Sequence, residues 1–138
     1  MFYHHTKNKG DLGVLKVKAD LYEQGFLVLS PETEHAPFDI VIYQKGKFRT
    51  VQVKFRNLSK TGVLEISFRS SYSTSKGVKT KSADKTMIDL YAIYCPQTDS
   101  CYYFNPIQFN KSITLRVKAS LNNQQVKTHN ADLFKMVP

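Results

Sequence analysis

The chain has 138 residues, 41% of them hydrophobic, which suits one domain with its own apolar core, and we expect residues 1–138 to form it. Its 20 lysine and arginine residues outnumber the 11 aspartate and glutamate residues, and the net charge of +9 favours a polyanionic partner such as nucleic acid. No apolar run approaches the roughly 18 residues that a membrane span needs, and the polar N-terminus carries no secretion signal, so we expect a cytoplasmic protein without membrane contact.

The first predicted element is an amphipathic helix over residues 10–24, which Gly25 is well suited to end. Its apolar stripe consists of four residues at helical spacing: Val14, Leu15, Leu21 and Tyr22. A short apolar strand over 26–29 follows the helix. Two longer strands, 38–44 and 48–55, are predicted to form a hairpin around the tight turn between them.

The second half of the chain is predicted to add more strands and a short C-terminal helix. The strands span 63–68, 89–95, 101–105 and 113–118, and the helix spans 131–136. Cys95 and Cys101 flank a turn and are expected to be free, buried thiols, as is usual in the cytosol. This order of elements predicts an α/β fold, more closely an α+β fold with a mixed sheet.

The strand over 48–55 carries the main chemical signal. Side chains alternate between the two faces of a strand. One face, expected to be core, carries Val51, Val53 and Phe55. The other carries Thr50, Gln52 and Lys54. A glutamine and a lysine on one face of an apolar strand indicate either a solvated sheet face or a functional site.

Asp39 lies in the apolar run of the preceding strand, where an unpaired carboxylate would be costly to bury. With Lys45-Gly46 as the turn, Asp39 lies opposite Gln52. With the turn one residue later, it lies opposite Lys54, so either register brings the three side chains to one face. Carboxylate and amide oxygens are ligands that Mg²⁺ prefers, and a lysine beside them suits metal-assisted phosphodiester hydrolysis. The alternative is a structural Asp–Lys pair on a solvated face.

Pro37-Phe38-Asp39, followed after twelve residues by Gln52-Val53-Lys54, resembles the motif of the PD-(D/E)XK nucleases. Lys9-Gly10-Asp11 before the helix and Gln24-Gly25-Phe26 at its end resemble the first helix of the same fold. The chain resembles in particular the small intron-encoded homing endonucleases, which also have glutamine in place of an acid. The resemblance implies a restriction-endonuclease-like core with a helix, an antiparallel strand meander and C-terminal additions.

The same resemblance implies a role for each motif residue. Asp39 would bind Mg²⁺, and Gln52 would stand at the position of the motif's second acid. Val53 would lend its backbone carbonyl to the metal, and Lys54 would be the catalytic lysine of the family. Related enzymes carry a glutamate in the first helix where this chain has a valine, so we expect Asp11, one turn earlier on nearly the same face, to be the substitute catalytic and metal-binding acid.

Basic residues interleaved with hydroxyl side chains are expected to bind the DNA backbone. Most of them lie in the segment 69–85: Arg69, Tyr72, Lys76, Lys79, Lys81 and Lys85. Others follow the catalytic strand or alternate on a late strand: Arg56, Lys60, Arg116 and Lys118. For the segment 69–85, the alternative is a flexible, solvated loop.

Together these features predict a Mg²⁺-dependent, site-specific endonuclease for double-stranded DNA. A chain of this size has limited reach along a duplex, and the resemblance implies a homodimer or homotetramer, associated with the nucleoid when bound to DNA. Two alternatives stay open: a structure-specific nuclease such as a Holliday junction resolvase, and a catalytically degenerate DNA-binding protein that lacks two acids. An RNA-binding module has no RNP-type aromatic motif to support it.

Overall fold

The computed structural model describes residues 5–82, 86–119 and 128–138. Its α-helix is α1 (His5–Glu23). The strands of the first half are β1 (Leu27–Leu29), β2 (Ile40–Gln44), β3 (Lys47–Phe55) and β4 (Val63–Ser67). Those of the second half are β5 (Arg69–Thr74), β6 (Gly77–Ser82), β7 (Leu90–Cys95), β8 (Ser100–Phe104), β9 (Ser112–Arg116) and β10 (His129–Asn130). Short 3₁₀ helices span Pro106–Gln108 and Ala131–Phe134.

Helix α1 begins earlier than predicted and ends where predicted. Gly25 adopts a φ of 93°, a left-handed conformation that suits glycine, and the Phe26 N–H donates to the Leu21 carbonyl across the helix end at 3.1 Å. The predicted apolar stripe is correct at the buried Leu21 and at Val14, which packs partly buried against the core. It is wrong at Leu15 and Tyr22, which are 62% and 72% exposed.

The helix packs instead through residues four apart, which follow one of its faces: Gly13, Val17 and Leu21. Val17 and Leu21 are fully buried. A Cβ atom added at Gly13 would lie 3.6 Å from side-chain atoms of Val53 and Phe55. The small residue therefore lets α1 approach closely the face of β3 that carries Val53.

Strands β2 and β3 form the predicted hairpin. Lys45 and Gly46 are its turn residues, with φ values of 53° and 81°, as a type I′ turn requires. The pairing register places Asp39 opposite Gln52. The structure thus selects the first of the two registers that the sequence allows.

The hairpin belongs to a five-stranded sheet with the order β1-β2-β3-β7-β8. Neighbouring strands run antiparallel except for β3 and β7, which pair in parallel between residues 51–55 and 90–94. The predicted α+β class with a mixed sheet is therefore confirmed. The antiparallel meander ends at β3, since β4, β5 and β6 belong to other sheets and β7 joins this sheet between β3 and β8.

Two further groups of strands arise outside the main sheet. Strand β4 joins β9 and β10 in a three-stranded sheet, and β5 pairs with β6 in a separate two-stranded ribbon. The β5–β6 ribbon forms in the segment for which the sequence also allowed a flexible, solvated loop. Its strands meet at a two-residue turn before Gly77, whose φ is 109°. The predicted C-terminal helix is reduced to the 3₁₀ helix Ala131–Phe134.

Apolar clusters cover both faces of the five-stranded sheet. The helix side includes Val17, Leu21, Ile40, Ile42, Val51, Val53, Ala92, Tyr94 and Tyr103. The other side joins Tyr91, Ile93, Tyr102 and Phe104 to Leu64, Ile66 and Leu115 of the three-stranded sheet. Cys95 and Cys101 are free and buried, as predicted, one in each cluster. Within the described residues, no helix is long and apolar enough to cross a membrane.

Candidate active site

The Asp39 carboxylate, just before β2, is anchored to β3. Its Oδ2 atom accepts hydrogen bonds from the Val53 N–H at 2.9 Å and from the Gln52 side-chain amide at 3.1 Å. The Asp39 N–H donates to the Val51 carbonyl at 3.0 Å. Backbone and side chain therefore both hold Asp39 against Gln52, on the strand that also carries Lys54.

The environment of Asp39 opposes its negative charge. The residue is half-buried, and burial raises the pKa of its carboxyl group above the usual value. The Val53 N–H and the positive charge of Lys54 lower that pKa by smaller amounts. The Oδ1 atom accepts no hydrogen bond from the described residues, so one carboxylate oxygen stays available to a ligand.

Lys54 is also half-buried, on the same face of β3 as Gln52. Burial lowers the pKa of its ammonium group from 10.5 to about 8; the Arg56 guanidinium acts in the same direction and Asp39 opposes both. Its Nζ atom lies 5.5 Å from the centre of the Tyr91 ring. A lysine with such a pKa exchanges its proton near neutral pH, as acid–base chemistry requires.

A model of the PD-(D/E)XK endonuclease family matches residues 4–137. The chain belongs to the PD-(D/E)XK endonuclease family. It is therefore a nuclease, as predicted. The solved structure of a bacterial homing endonuclease, I-Ssp6803I, matches with a TM-score of 0.77 and 20% identity, over 96% of this chain and 89% of that chain. At this identity the likeness shows a shared fold. No curated protein matches the chain significantly.

Nucleases of this family generally use divalent metal ions, and the oxygens around Asp39 suit such an ion. Like Asp39 Oδ1, the Gln52 amide oxygen accepts no hydrogen bond from the described residues. The N–H and C=O of a strand residue point to the same side, so the Val53 carbonyl faces Asp39 as its N–H does. Across residues 5–82, 86–119 and 128–138, no group of three or more acids, histidines or cysteines could hold a metal. Asp39 would therefore act with neutral oxygens.

Asp11, the predicted substitute acid of this nuclease, lies apart from that group. It is exposed on α1 and makes no hydrogen bond or ion pair with Asp39 in the described part of the chain. Helix α1 packs on the face of β3 that carries Val53, opposite the face of Gln52 and Lys54. The structure does not bring Asp11 into contact with the motif residues, and its role stays a prediction.

Two residues of the β7 region were not foreseen from the sequence. Tyr91 pairs with Gln52 across the parallel strands and so enters the site face. Asp89 accepts a hydrogen bond from the Thr50 N–H at 2.8 Å and thereby fastens the start of β7 to β3. The apolar strand over 89–95 was recognisable, but nothing in the sequence said which strand would be its neighbour.

The predicted DNA-binding residues outside the ribbon differ in exposure and in how far the fold already engages their side chains. Arg56 is half-buried and donates to the Phe55 carbonyl at 2.9 Å, and burial lowers its pKa. Lys60 and Lys118 are exposed. Arg116 donates to the carbonyls of Thr61 and Lys118 at 3.4 and 3.3 Å, so its guanidinium is partly occupied within the fold.

The remaining predicted DNA contacts lie on or beside the β5–β6 ribbon. Arg69 and Tyr72 are on β5, Lys79 and Lys81 are on β6, and Lys76 is exposed in the turn. Tyr72 pairs with Lys79 and Ser70 with Lys81, so Tyr72, Lys79 and Lys81 occupy positions on one face of the ribbon. Lys85 lies outside the described residues.

Proposed function

We propose that this nuclease is a site-specific, double-stranded DNA endonuclease of the homing type that hydrolyses phosphodiester bonds with Mg²⁺. The observation that carries the proposal is the contact of the Asp39 carboxylate with Gln52 and Val53. This contact lies on the face of β3 that carries Lys54, and burial lowers the pKa of the Lys54 ammonium group to about 8. A metal-binding carboxylate beside a lysine that exchanges protons near neutral pH suits attack of water on phosphorus.

Each motif residue has a part in this proposal. Asp39, the Gln52 amide oxygen and the Val53 carbonyl would hold Mg²⁺. When bound, the cation would polarise a phosphoryl oxygen and lower the pKa of a bound water. Lys54, in its neutral form, would accept the proton of the attacking water, and the resulting ammonium would offset negative charge on the phosphoryl group.

Asp11 is proposed as an outer acid that strengthens metal binding. Exposed on α1, it makes no contact with the motif residues among the described ranges, so it would act through water or after DNA binds. Asp11→Asn should weaken Mg²⁺ binding, measured by titration calorimetry. An unchanged Mg²⁺ affinity would remove Asp11 from the site and leave the other assignments intact.

DNA binding is proposed to rest on the β5–β6 ribbon together with Arg56, Lys60 and the strand that carries Arg116 and Lys118. A two-stranded ribbon fits the major groove of B-DNA, and Tyr72, Lys79 and Lys81 share one of its faces. Two symmetric sites are needed to cut both strands of a palindromic target, so we propose a homodimer or homotetramer that works in the cytoplasm on nucleoid DNA. We further propose that residues 1–138 form this single catalytic domain.

The homing type is supported by the glutamine in the motif and by the fold shared with a bacterial homing endonuclease. The test is to incubate the protein with plasmid libraries that carry candidate intron-insertion sites and, in parallel, with a synthetic four-way junction, each with Mg²⁺ or chelator. Mg²⁺-dependent cutting at one duplex sequence is expected. Cutting of the junction alone would make the protein a resolvase, and binding without cutting in any divalent metal would make it a DNA-binding protein.

The ribbon's contribution is measured by the salt dependence of DNA binding. Each phosphate contact adds close to one unit to the slope of log affinity against log salt. The triple variant Lys76→Gln, Lys79→Gln, Lys81→Gln should therefore make this negative slope less steep, by up to about 3. A variant with Lys16→Gln and Lys18→Gln on α1 is the matched control. Equal slopes for all three proteins would leave the ribbon without a phosphate-binding role.

A further inference from the structure

Four tyrosines of β7 and β8 are almost fully buried, and three of them use their hydroxyl groups within the fold. Tyr94 donates to Asp99 at 2.7 Å, Tyr102 to Thr98 at 3.1 Å and Tyr103 to Asp20 at 2.5 Å. The fourth, Tyr91, is 2% exposed, yet its hydroxyl makes no hydrogen bond with the described residues. A buried tyrosine hydroxyl usually has a partner, and the described residues supply none for Tyr91, so its hydroxyl is open to a ligand bound at this face.

Tyr91 is the buried tyrosine that faces the candidate active site. It pairs with Gln52 across β3 and β7, and its ring lies 5.5 Å from the Lys54 Nζ atom. The ring stacks on those of Phe68 and Phe104, at centre-to-centre distances of 5.2 and 5.6 Å. Packing on both neighbours fixes the ring, and with it the place of the hydroxyl.

The Tyr91 oxygen is not sealed inside the core. Among the described residues, one side-chain nitrogen or oxygen atom is both closed to solvent and without a hydrogen-bond partner, and that atom is the Arg116 Nε. The Tyr91 oxygen also has no partner among these residues. It is not closed to solvent in the same way, so it reaches the surface of the molecule. On the face of Gln52 and Lys54, that surface is where a phosphodiester would bind.

We propose that the Tyr91 hydroxyl donates a hydrogen bond to a non-bridging oxygen of the scissile phosphodiester. The inference rests on the proposed nuclease function of this site and adds a substrate-contacting residue to it. A neutral donor fixed by packing suits an oxygen on which negative charge grows as water attacks. Burial raises the pKa of the Tyr91 hydroxyl above its usual value, so the hydroxyl keeps the proton that it would donate.

The hydroxyl and the ring of Tyr91 serve different purposes, and Tyr91→Phe separates them. Phenylalanine keeps the ring beside Lys54 and its stacking on Phe68 and Phe104, but it removes the donor. Tyr103→Phe is the matched control, because Tyr103 is equally buried, lies on the opposite face of the sheet and has an internal acceptor in Asp20.

The two variants should show opposite effects on cleavage and stability. Single-turnover cleavage of the target duplex by Tyr91→Phe should be slower by roughly 100-fold, as when one donor to a developing oxyanion is lost. Its melting temperature should not fall, since no internal hydrogen bond is removed. Tyr103→Phe should cleave at the wild-type rate, while its melting temperature falls by about 3 °C because one buried hydrogen bond is lost.

A phosphorothioate at the scissile position tests the contact itself. Sulfur accepts hydrogen bonds poorly, so replacing the contacted oxygen should slow the wild-type protein and Tyr103→Phe more than it slows Tyr91→Phe. The other diastereomer should affect all three proteins equally.

The outcomes distinguish this inference from the function on which it rests. Cleavage by Tyr91→Phe within about threefold of wild type, or equal sulfur effects in all three proteins for both diastereomers, would overturn the Tyr91 contact and leave the nuclease site standing. A wild-type protein that cuts no DNA in any divalent metal would overturn the proposed function and the Tyr91 contact with it.

Discussion

Polar side chains cluster on both faces of the five-stranded sheet, and the two clusters differ in how they treat charge. On the helix side, Lys16 and Asp99 pair at 2.9 Å, and Tyr94 also donates to Asp99. The hydrogen bond from Tyr94, and then the contact with Lys16, lowers the pKa of Asp99, while Asp99 raises the pKa of Lys16. Each partner therefore favours the charged form of the other.

On the face of β3 that carries Gln52 and Lys54, the pKa shifts have the opposite directions. Burial raises the pKa of Asp39 and lowers that of Lys54, and the attraction between them is too weak to restore ordinary values. Relative to their ordinary pKa values, the charged forms of Asp39 and Lys54 are disfavoured, whereas those of Lys16 and Asp99 are favoured. The opposite shifts support the proposal that the site side serves proton transfer and ligand binding, whereas Lys16 and Asp99 form an ordinary surface ion pair.

The largest effect on cleavage is expected when one carboxylate on each face of the sheet is neutralised in turn. Asp39→Asn keeps an oxygen for the Val53 N–H but removes the charge that would hold a cation, and cleavage should fall by about 1000-fold or more. Asp99→Asn keeps an acceptor for Tyr94 on the helix side and should cleave as wild type. Comparable losses in single-turnover cleavage for both variants would erase the distinction between the two clusters.

The pH dependence of cleavage should report Lys54. If its neutral form accepts the proton of water, the rate should rise about 10-fold per pH unit below the pKa and then level off. The levelling should occur at about pH 8 or lower, because a bound cation disfavours the ammonium. Lys16→Ala should keep the same profile. A rate that falls above pH 8 would instead assign Lys54 a role as a cation.

A smaller effect is expected on stability. Lys54 has a folded-state pKa of about 8 against 10.5 for the ordinary group, so the unfolded chain binds more protons between these values and stability rises with pH there. Below pH 8 the cost of burying the charge is fully present. Lys54→Met should therefore abolish cleavage yet raise the melting temperature near neutral pH by about 3 °C, with the gain shrinking as the pH approaches 10.5. Calorimetric melting at two pH values checks this, and a lowered melting temperature would contradict it.

The smallest effect should come from the exposed pair of the helix side. Lys16→Ala removes a surface ion pair with Asp99, and such pairs add little to stability. The melting temperature should change by less than about 2 °C, and cleavage should stay at the wild-type level. A large loss in either measurement would mean that the helix-side cluster also serves the reaction.

Local signals in the sequence were enough to predict that Asp39 shares a face with Gln52 and Lys54. They left two hairpin turns open, and the structure selects the turn at Lys45-Gly46, which places Asp39 opposite Gln52. The approach of Tyr91 to Lys54 was not predictable, because a parallel pair joined through residues 56–89 has no turn that reveals its register. It is this non-local neighbour that adds the aromatic surface beside the lysine.

The helix shows a second limit of prediction. Its end at Gly25 follows from glycine chemistry, but its early start at His5 and its packed face were not predicted. Leu15 and Tyr22 looked like core residues, whereas Gly13 makes the close approach to β3. A glycine adds no apolar side chain to a stripe, so a pattern based on hydrophobicity misses the position that brings helix and sheet together.

During folding, the parallel pairing of β3 with β7 should form later than the β2–β3 hairpin. A hairpin closes within about 1–10 μs, whereas contacts across a long intervening segment must first overcome its loop entropy. Until β7 docks, the hairpin presents Asp39 and Gln52 but leaves Lys54 in water, with the proton affinity of any surface lysine. A growing chain on the ribosome would thus carry the motif without its catalytic proton acceptor, and we expect the ability to cut DNA to arise only when the sheet is complete.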